Sequence, residues 1–394
     1  MDDLTFSTSK TIFPSEIANE LAGAEWEVGK QLQDLIERSG YKLNMAKTRM
    51  SLHHSRQTVT GLVVNEKPNV SQDYYRFARA MCHSVFTTGT WHRPVPTAGV
   101  VPVPTASLRP LEGMLSHIHF VRARRDRSDK ENKHAGFIAP KAPIKLYRDF
   151  LFYKHFVSNL APTIVTEGIS DITYLKCAIR SLAAKFPILA SVKSGKVELA
   201  LGFLNPSGTS RSILDLGNGT GGQVKLISDY ENRLKHYRHL PLTNPVIILC
   251  DNDDGSKEIF SKAQSKLGTP VSATTKDPFY HLGRNLYLVK VPEGTPPAQR
   301  DIEELFPAAW LAEQVDGKPF DKKKPHGDHT AYGKVIFAEK VVRPNSGKID
   351  FTAFEDLLQR IEGCIVHYAA FVAAKTPTAP AAPVPATKTA VAGP

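Results

Sequence analysis

Two apolar runs, each ending in a carboxylate, constrain this 394-residue chain more than any other feature. Pro245-Val246-Ile247-Ile248-Leu249-Cys250 contains no polar side chain, so a strand there must be covered on both faces, as in a parallel sheet. It stops at Asp251-Asn252-Asp253-Asp254-Gly255. About eighty residues earlier, Pro162-Thr163-Ile164-Val165-Thr166 reads as a second short buried strand and stops at Glu167-Gly168-Ile169-Ser170-Asp171. A helix follows, with Ile172, Leu175, Ile179 and Leu182 on one face. Strand and helix patterns alternate over residues 161–345, which predicts an α/β fold with a mainly parallel sheet.

Open sheets of this kind place ligands beyond the carboxyl ends of their strands. Glu167 stands at one such end, with Asp171 in the first helical turn beside it. Asp251 and Asp253 are two residues apart on extended backbone, so their side chains leave on the same side; Asp254 is the alternative to Asp253. A site of carboxylate oxygens without His or Cys suits Mg²⁺ or Mn²⁺. Between the two runs, Leu214-Asp215-Leu216-Gly217-Asn218-Gly219-Thr220-Gly221-Gly222 reads as a strand end, a glycine-rich turn and a helix start. Backbone amides in such a turn can approach a phosphate. His326-Gly327-Asp328-His329 lies in a Gly- and Pro-containing setting that predicts an exposed loop rather than a metal cluster. The cysteines, Cys82, Cys177, Cys250 and Cys364, have no ligand spacing and read as reduced and mostly buried thiols.

Strand-Glu-Gly-x-x-Asp-helix followed by strand-Asp-x-Asp resembles the Toprim domain of topoisomerases, bacterial primases and the overcoming-lysogenization-defect nucleases. The resemblance implies that Glu167 is the general acid/base or a metal-linked carboxylate. It makes Asp251 and Asp253 metal ligands and Asp171 a direct or supporting one. Two later segments match the nuclease branch better than the primase branch. Asp301-Ile302-Glu303-Glu304-Leu305-Phe306 offers Glu303 as a further ligand, and Gly333-Lys334-Val335-Ile336 offers a lysine to steady charge on a transferring phosphate. No cysteines of zinc-binding spacing accompany the domain, as they often do in primases.

At the front, Asp2-Asp3 precedes Leu4-Thr5-Phe6 and reads as a hairpin turn and strand. Residues from Pro14 to Ser39 carry Ile17, Leu21, Trp26, Val28, Leu32 and Leu35 on roughly one face and predict a helix. Strand candidates follow at residues 41–49 and 57–65, and a helix at 72–90 with Tyr74, Tyr75, Phe77 and Met81. With Gly40-Tyr41-Lys42-Leu43-Asn44, then Lys47-Thr48-Arg49, and Val59-Thr60-Gly61, this front resembles a retron reverse transcriptase from its Tyr-x-Asp-Asp motif through the palm into the thumb. The resemblance implies an RNA-directed DNA polymerase (a transferase) whose Asp2 and Asp3 bind catalytic Mg²⁺. It also implies that Val59, Thr60 and Gly61 help read the enzyme's own non-coding RNA, the template of a branched RNA–DNA product. Lys42, Lys47, Arg49 and Arg56 offer phosphate contacts. The polymerase fingers, most of the palm and its first aspartate are not present, so polymerisation is not expected from this chain alone; the missing half could be supplied in trans. Taken together the chain resembles the retron class that fuses reverse transcriptase to a Toprim effector in antiviral defence.

The expected organisation is residual palm and thumb over 1–90, a Pro-rich and basic connector over 91–160, a Toprim domain over 161–345, a C-terminal helix over 346–374 and a disordered tail over 375–394. Five prolines fall between residues 94 and 110. Residues 121–160 hold ten Lys/Arg, Arg122, Arg124 and Arg125 among them, against four Asp/Glu. Interleaved with Phe137, Tyr147, Phe150, Phe152 and Tyr153, they suit a phosphate backbone with stacked bases, or else a charged face over an aromatic core. The net charge of +11 suits a polyanionic partner. No signal peptide or membrane-length apolar run occurs, so a cytoplasmic, RNA-binding nuclease is expected. The alternatives are a non-catalytic RNA-binding remnant and a primase- or topoisomerase-like enzyme.

Overall fold

The computed structural model describes residues 4–10, 12–22, 25–93, 102–126, 142–204, 208–216, 219–294, 299–324 and 329–375. Asp2, Asp3, Phe137, residues 326–328 and the tail beyond Lys375 lie outside the described residues. The protein is mixed α/β and divides into two compact units, Met1–Cys82 with Ser107–Pro143, and His83–Ala106 with Ile144–Pro394.

In the first unit, the helix expected from Pro14 to Ser39 forms only over its last part. Ala18–Glu20 (β1) and Trp26–Val28 (β2) pair as an antiparallel hairpin, and α1 spans Lys30–Arg38. Gly29 joins them: its N–H donates to Ile17 O at 2.8 Å. A Cβ there would lie 2.4 Å from the backbone of Ser15 and Glu16, so no larger residue allows this approach. Leu4–Phe6 and residues 41–49 form no strand. Thr58–Val59 (β3) and Leu62–Val63 (β4) do pair, and Asn69–Val70 (β5) completes a three-stranded sheet. The β3–β4 turn is Thr60-Gly61, with φ of 45° and 83°, the left-handed pair that a two-residue hairpin requires. Lys42, Lys47, Arg49 and Arg56 are exposed on the segment before β3.

The helix α2 (Gln72–Thr88) crosses from the first unit to the second. Met81 is buried and Tyr74 and Tyr75 partly so, while Phe77 is exposed. Arg109–Asp126 forms α3, an 18-residue helix within the stretch expected to be a connector. Leu111, Leu115, Ile118 and Val121 make its buried stripe. Arg122 donates through Nε to Asn69 Oδ1 at 3.2 Å and lies over the Tyr75 ring; Arg124 and Arg125 are on the last turn of the same helix.

In the second unit Trp91 is 1 % exposed and exchanges two backbone hydrogen bonds with Thr105, so the described ends of the Pro-rich stretch are tied together. In α4 (Ala142–Phe152) and the π-helical turn Tyr153–Val157, the aromatics Tyr147, Phe150, Phe152 and Tyr153 are all buried. They build core, which decides against the base-stacking alternative for these four.

The main sheet has five strands: β6 (Thr163–Val165), β9 (Gly202–Phe203), β10 (Val246–Cys250), β11 (Tyr280–Gly283) and β12 (Leu286–Lys290). Their order is β11-β12-β10-β6-β9, parallel except for β11. Ala190–Lys193 (β7) and Lys196–Leu199 (β8) make a separate hairpin. Every residue of β10 is buried. Ile164, Ile247, Leu249, Tyr287 and Val289 join one core with α5 (Ile169–Ser181) and the C-terminal helix α9 (Glu355–Lys375). The helix α6 spans Gly208–Leu214, while α7 (Thr220–Leu234) and α8 (Lys257–Leu267) bury Leu226, Ile227, Tyr230, Ile259 and Phe260. The chain runs from β6 outward to β9, then back to β10 on the other side of β6. That reversal is the switch point of the sheet, where a crevice opens beyond the strand ends. The residues beyond those two strands begin with Thr166-Glu167 and Asp251.

Candidate metal centre

The strand ends are locked together before any ligand arrives. Gln223, in the first turn of α7, donates from Nε2 to Leu249 O at 2.8 Å and Val165 O at 3.4 Å, stitching β10 to β6. Beyond β6, the Thr166 hydroxyl donates to Gly168 O at 2.7 Å. The Gly168 N–H donates to Asp171 Oδ2 at 3.0 Å, so Asp171 caps the helix that carries it. Beyond β10, Asn252 exchanges two backbone hydrogen bonds with Arg300, at 3.0 and 2.8 Å. This bridge brings Asp301 alongside Asp251 and Asp253.

Those three aspartates each offer a carboxylate oxygen, and the three atoms lie within 4.8 Å of one another. One oxygen of each is held by the protein. Asp251 Oδ1 accepts from the Ile302 N–H at 2.9 Å and Asp253 Oδ1 from the Ser256 N–H at 3.2 Å. Asp301 Oδ2 pairs with Lys322 Nζ at 2.5 Å. Anchoring through one oxygen aims the other, and an all-carboxylate set matches the hard cations Mg²⁺ and Mn²⁺. The donor chemistry therefore fits the cation expected from the sequence.

Lys334 stands over this group. Its Nζ lies 3.0 Å from Glu303 Oε2 and 3.8 Å from Asp251 Oδ2. Glu303 is 1 % exposed, and neither of its oxygens accepts a hydrogen bond of normal geometry. It pairs with the lysine, and the acid of its segment that lies with Asp251 and Asp253 is Asp301. Tyr174, fully buried in α5, donates its hydroxyl to Lys334 O at 3.2 Å and packs edge-on to Phe306 and Phe337.

Crowding of like charge away from water sets the proton equilibria. Burial lifts the Asp251 carboxyl to about 8, Asp171 adding to the effect and Lys334 opposing it. Burial likewise lifts Asp171 to about 7 against the Gly168 N–H that stabilises its charged form, with Glu303 raising it further. For Lys334 burial alone would favour the neutral amine, but the Glu303 and Asp251 carboxylates outweigh it and hold the ammonium firmly charged.

Glu167 sits at the β6 end as expected, outside the three-aspartate set and facing the glycine-rich turn. Gly219 has φ +69°, and a Cβ on it would lie 3.4 Å from Glu167 Oε1. At Gly222 a Cβ would fall 1.2 Å from Leu216 O, so the turn can cross the helix only over glycine. Asp215, itself at φ +60°, pairs with Lys225 and with Arg148 at 3.7 Å behind the turn. The turn expected to cradle a phosphate thus presents Gly219 to a carboxylate.

Glu167, Asp171, Asp251 and Asp253 lie at this edge of the sheet as expected, and the lysine that the resemblance implies, Lys334, lies beside Asp251. Sequence reasoning passed over Asp301, Tyr174 and Gln223; Asp301 was visible as the first acid of the motif that holds Glu303. Among the described residues no helix is long and apolar enough to cross a membrane. No protein-family model matches the chain, and no solved structure matches it.

Proposed function

We propose that the second unit is a metal-dependent phosphodiesterase of Toprim type acting on nucleic acid. The observation that carries this reading is the set of carboxylate oxygens from Asp251, Asp253 and Asp301, gathered within 4.8 Å at the sheet switch point with the Lys334 ammonium beside Asp251. Mg²⁺ or Mn²⁺ held there would supply Lewis-acid polarisation of a phosphodiester and an activated water. Lys334 Nζ adds positive charge against the charge that develops on a phosphoryl oxygen. Asp171, with its carboxyl lifted to about 7, is poised to give or take a proton near neutral pH. Glu167, at the end of β6, is the second acid/base group.

We further propose that the first unit is of retron reverse-transcriptase type, and that the chain acts with its non-coding RNA in antiviral defence. The exposed Lys42, Lys47, Arg49 and Arg56, next to the Thr60-Gly61 turn, support an RNA-facing surface.

The test is cleavage of transfer RNA, single-stranded DNA and plasmid in Mg²⁺ or Mn²⁺ by the wild type, Glu167→Gln, Asp251→Asn and Asp301→Asn. Cutting by the wild type alone, with all variants folded by thermal melting, is the expected result. Cutting by Asp251→Asn and Asp301→Asn at the wild-type rate refutes the assignment. Salt-dependent RNA binding with no cutting by any of them would leave the RNA-binding reading alone.

A further inference from the structure

The lysines on and beside the segments that carry the centre's carboxylates are of two kinds. Lys322 pairs with Asp301 at 2.5 Å and with Glu304 at 2.7 Å. Lys334 is held by Glu303 and Asp251, and Lys257 by Asp254 at 3.0 Å. Lys323 and Lys324 differ: among the described residues, the ammonium of neither enters an ion pair. Lysines without partners are ordinary on a surface, but these two sit on a turn whose backbone is fixed. The Asp321 N–H donates to Tyr332 O at 2.9 Å, and the Phe320 ring stacks on buried Phe337 with centroids 4.6 Å apart. Asp321 Oδ1 accepts from the Lys323 N–H at 2.8 Å, and Asp321 O from the Lys324 N–H at 3.3 Å. Lys324 runs along Gly333, where a Cβ would lie 3.8 Å from both its Cβ and its Cδ. Its stem thus passes the residue that precedes Lys334. Lys323 is exposed; Gln299 and Lys257 hold the Asp254 carboxyl below the usual carboxylate range, and Lys323 adds to their effect.

Two consecutive ammonium groups, unpaired beside a centre whose own lysines are paired, suit an anionic ligand. Lys334 already answers one phosphate, so charge at Lys323 and Lys324 is useful only to a ligand that carries several. A nucleic-acid strand does so, with one charge per about 3.4 Å of duplex axis on each strand. Lysine meets a phosphate as a point charge and reads no base. We propose that Lys323 and Lys324 hold the phosphates next to the scissile one, so that the substrate is a polynucleotide strand rather than a small phosphodiester. The inference rests on the phosphodiesterase reading for placing the scissile phosphate at Lys334. RNA and DNA share these phosphates, and both enter the test.

The test is lysine footprinting of the full chain. It is acetylated by a succinimidyl ester in Ca²⁺, with and without a short single-stranded RNA or DNA, and each lysine is read by mass spectrometry. Lys323 and Lys324 should label several-fold more slowly with the strand present, and Lys193 and Lys196, on the separate β7–β8 hairpin, at an unchanged rate. Equal labelling of Lys323 and Lys324 with and without either strand overturns the proposal, as does equal protection of the hairpin lysines. The salt dependence of binding reads the same contacts. Replacing both residues, Lys323→Gln with Lys324→Gln, should make the slope of log affinity against log salt shallower by about 1.4, two single-strand contacts at about 0.7 each. Lys323→Arg with Lys324→Arg should keep the wild-type slope, and an unchanged slope in the Gln variant overturns the proposal. The footprint needs no variant, so it stands even where a substituted chain does not fold. Cleavage in Mn²⁺, run in parallel, separates the two readings. Protection without cutting overturns the phosphodiesterase reading and keeps the assignment of the lysines, whereas cutting of a strand that leaves both lysines unprotected does the reverse.

Discussion

Replacing Asp251 by Asn probes the carboxylate centre through stability, with neither substrate nor turnover required. Burial, reinforced by Asp171, holds the Asp251 carboxyl at about 8 instead of 3.8. Between those two values the native state keeps a proton that the unfolded chain has released. Stability is therefore full below about pH 4 and is lost as the pH climbs through about 8. Each tenfold change in the proton equilibrium is worth about 1.4 kcal/mol, so the displacement from 3.8 to about 8 sets a ceiling of about 6 kcal/mol at alkaline pH. Burial is the first cause of that displacement, with Asp171 and Glu303 adding to it; a higher effective dielectric than dry protein reduces what one substitution recovers to about 2 kcal/mol. For a unit of this size that corresponds to a melting temperature about 4–8 °C higher for the variant at about pH 8.5 in EDTA, and to little difference near pH 4. Calorimetry across that range is the assay. Adding Mg²⁺ at about a hundred times its Kd should return about 2.7 kcal/mol to the wild type and distinctly less to the variant. An Asn variant that melts no higher than the wild type at about pH 8.5 in EDTA would refute the reasoning, because the carboxylate would then not be held against its charge.

Two further substitutions test the frame around the centre. Lys334→Met leaves Glu303, 1 % exposed and paired at 3.0 Å, without its partner and should cost about 3–5 kcal/mol in urea unfolding; adding Glu303→Gln should recover a large part of it. Gly222→Ala sets a methyl 1.2 Å from Leu216 O and should abolish the native turn, seen as lost cleavage and a lowered melting temperature. Gly221→Ala, whose Cβ meets nothing within 4 Å, should melt as the wild type does or slightly higher.

What was legible in the sequence was whatever a strand or a helix turn dictates by itself. The run Val246–Cys250 had to be buried on both faces, and it is. Asp251 and Asp253 had to emerge on one side of extended backbone, and their oxygens lie close. Glu167 and Asp171 had to straddle a helix start, and Asp171 caps it. Asp301 was not legible as a ligand because backbone hydrogen bonds between Asn252 and Arg300 place it, and backbone pairing leaves no mark in residue identity. Gln223 read as one more helix polar residue, although its amide joins two strands. The stretch from Pro14 to Ser39 misled because its apolar spacing fits a helix. Gly23 and Gly29 within it each weaken a helix by about 1 kcal/mol, and Gly29 in addition sits where only glycine fits.

The charge arithmetic of the centre explains why so unfavourable a cluster is worth keeping. Asp171 and Glu303 oppose the ionisation of Asp251, and Glu303 that of Asp171, around a single lysine. With all three carboxylates ionised, one ammonium leaves two negative charges uncompensated in a site largely withdrawn from water. Packing for stability alone would replace such groups by apolar ones. A divalent cation would carry the balancing charge, and the aspartate oxygens beside the cluster are where it could be held. The proton held by Asp251 near neutral pH and the cation are then alternative answers to the same electrostatic demand. Binding one should release the other, and that exchange makes affinity for Mg²⁺ rise with pH over the range in which the metal-free protein loses stability.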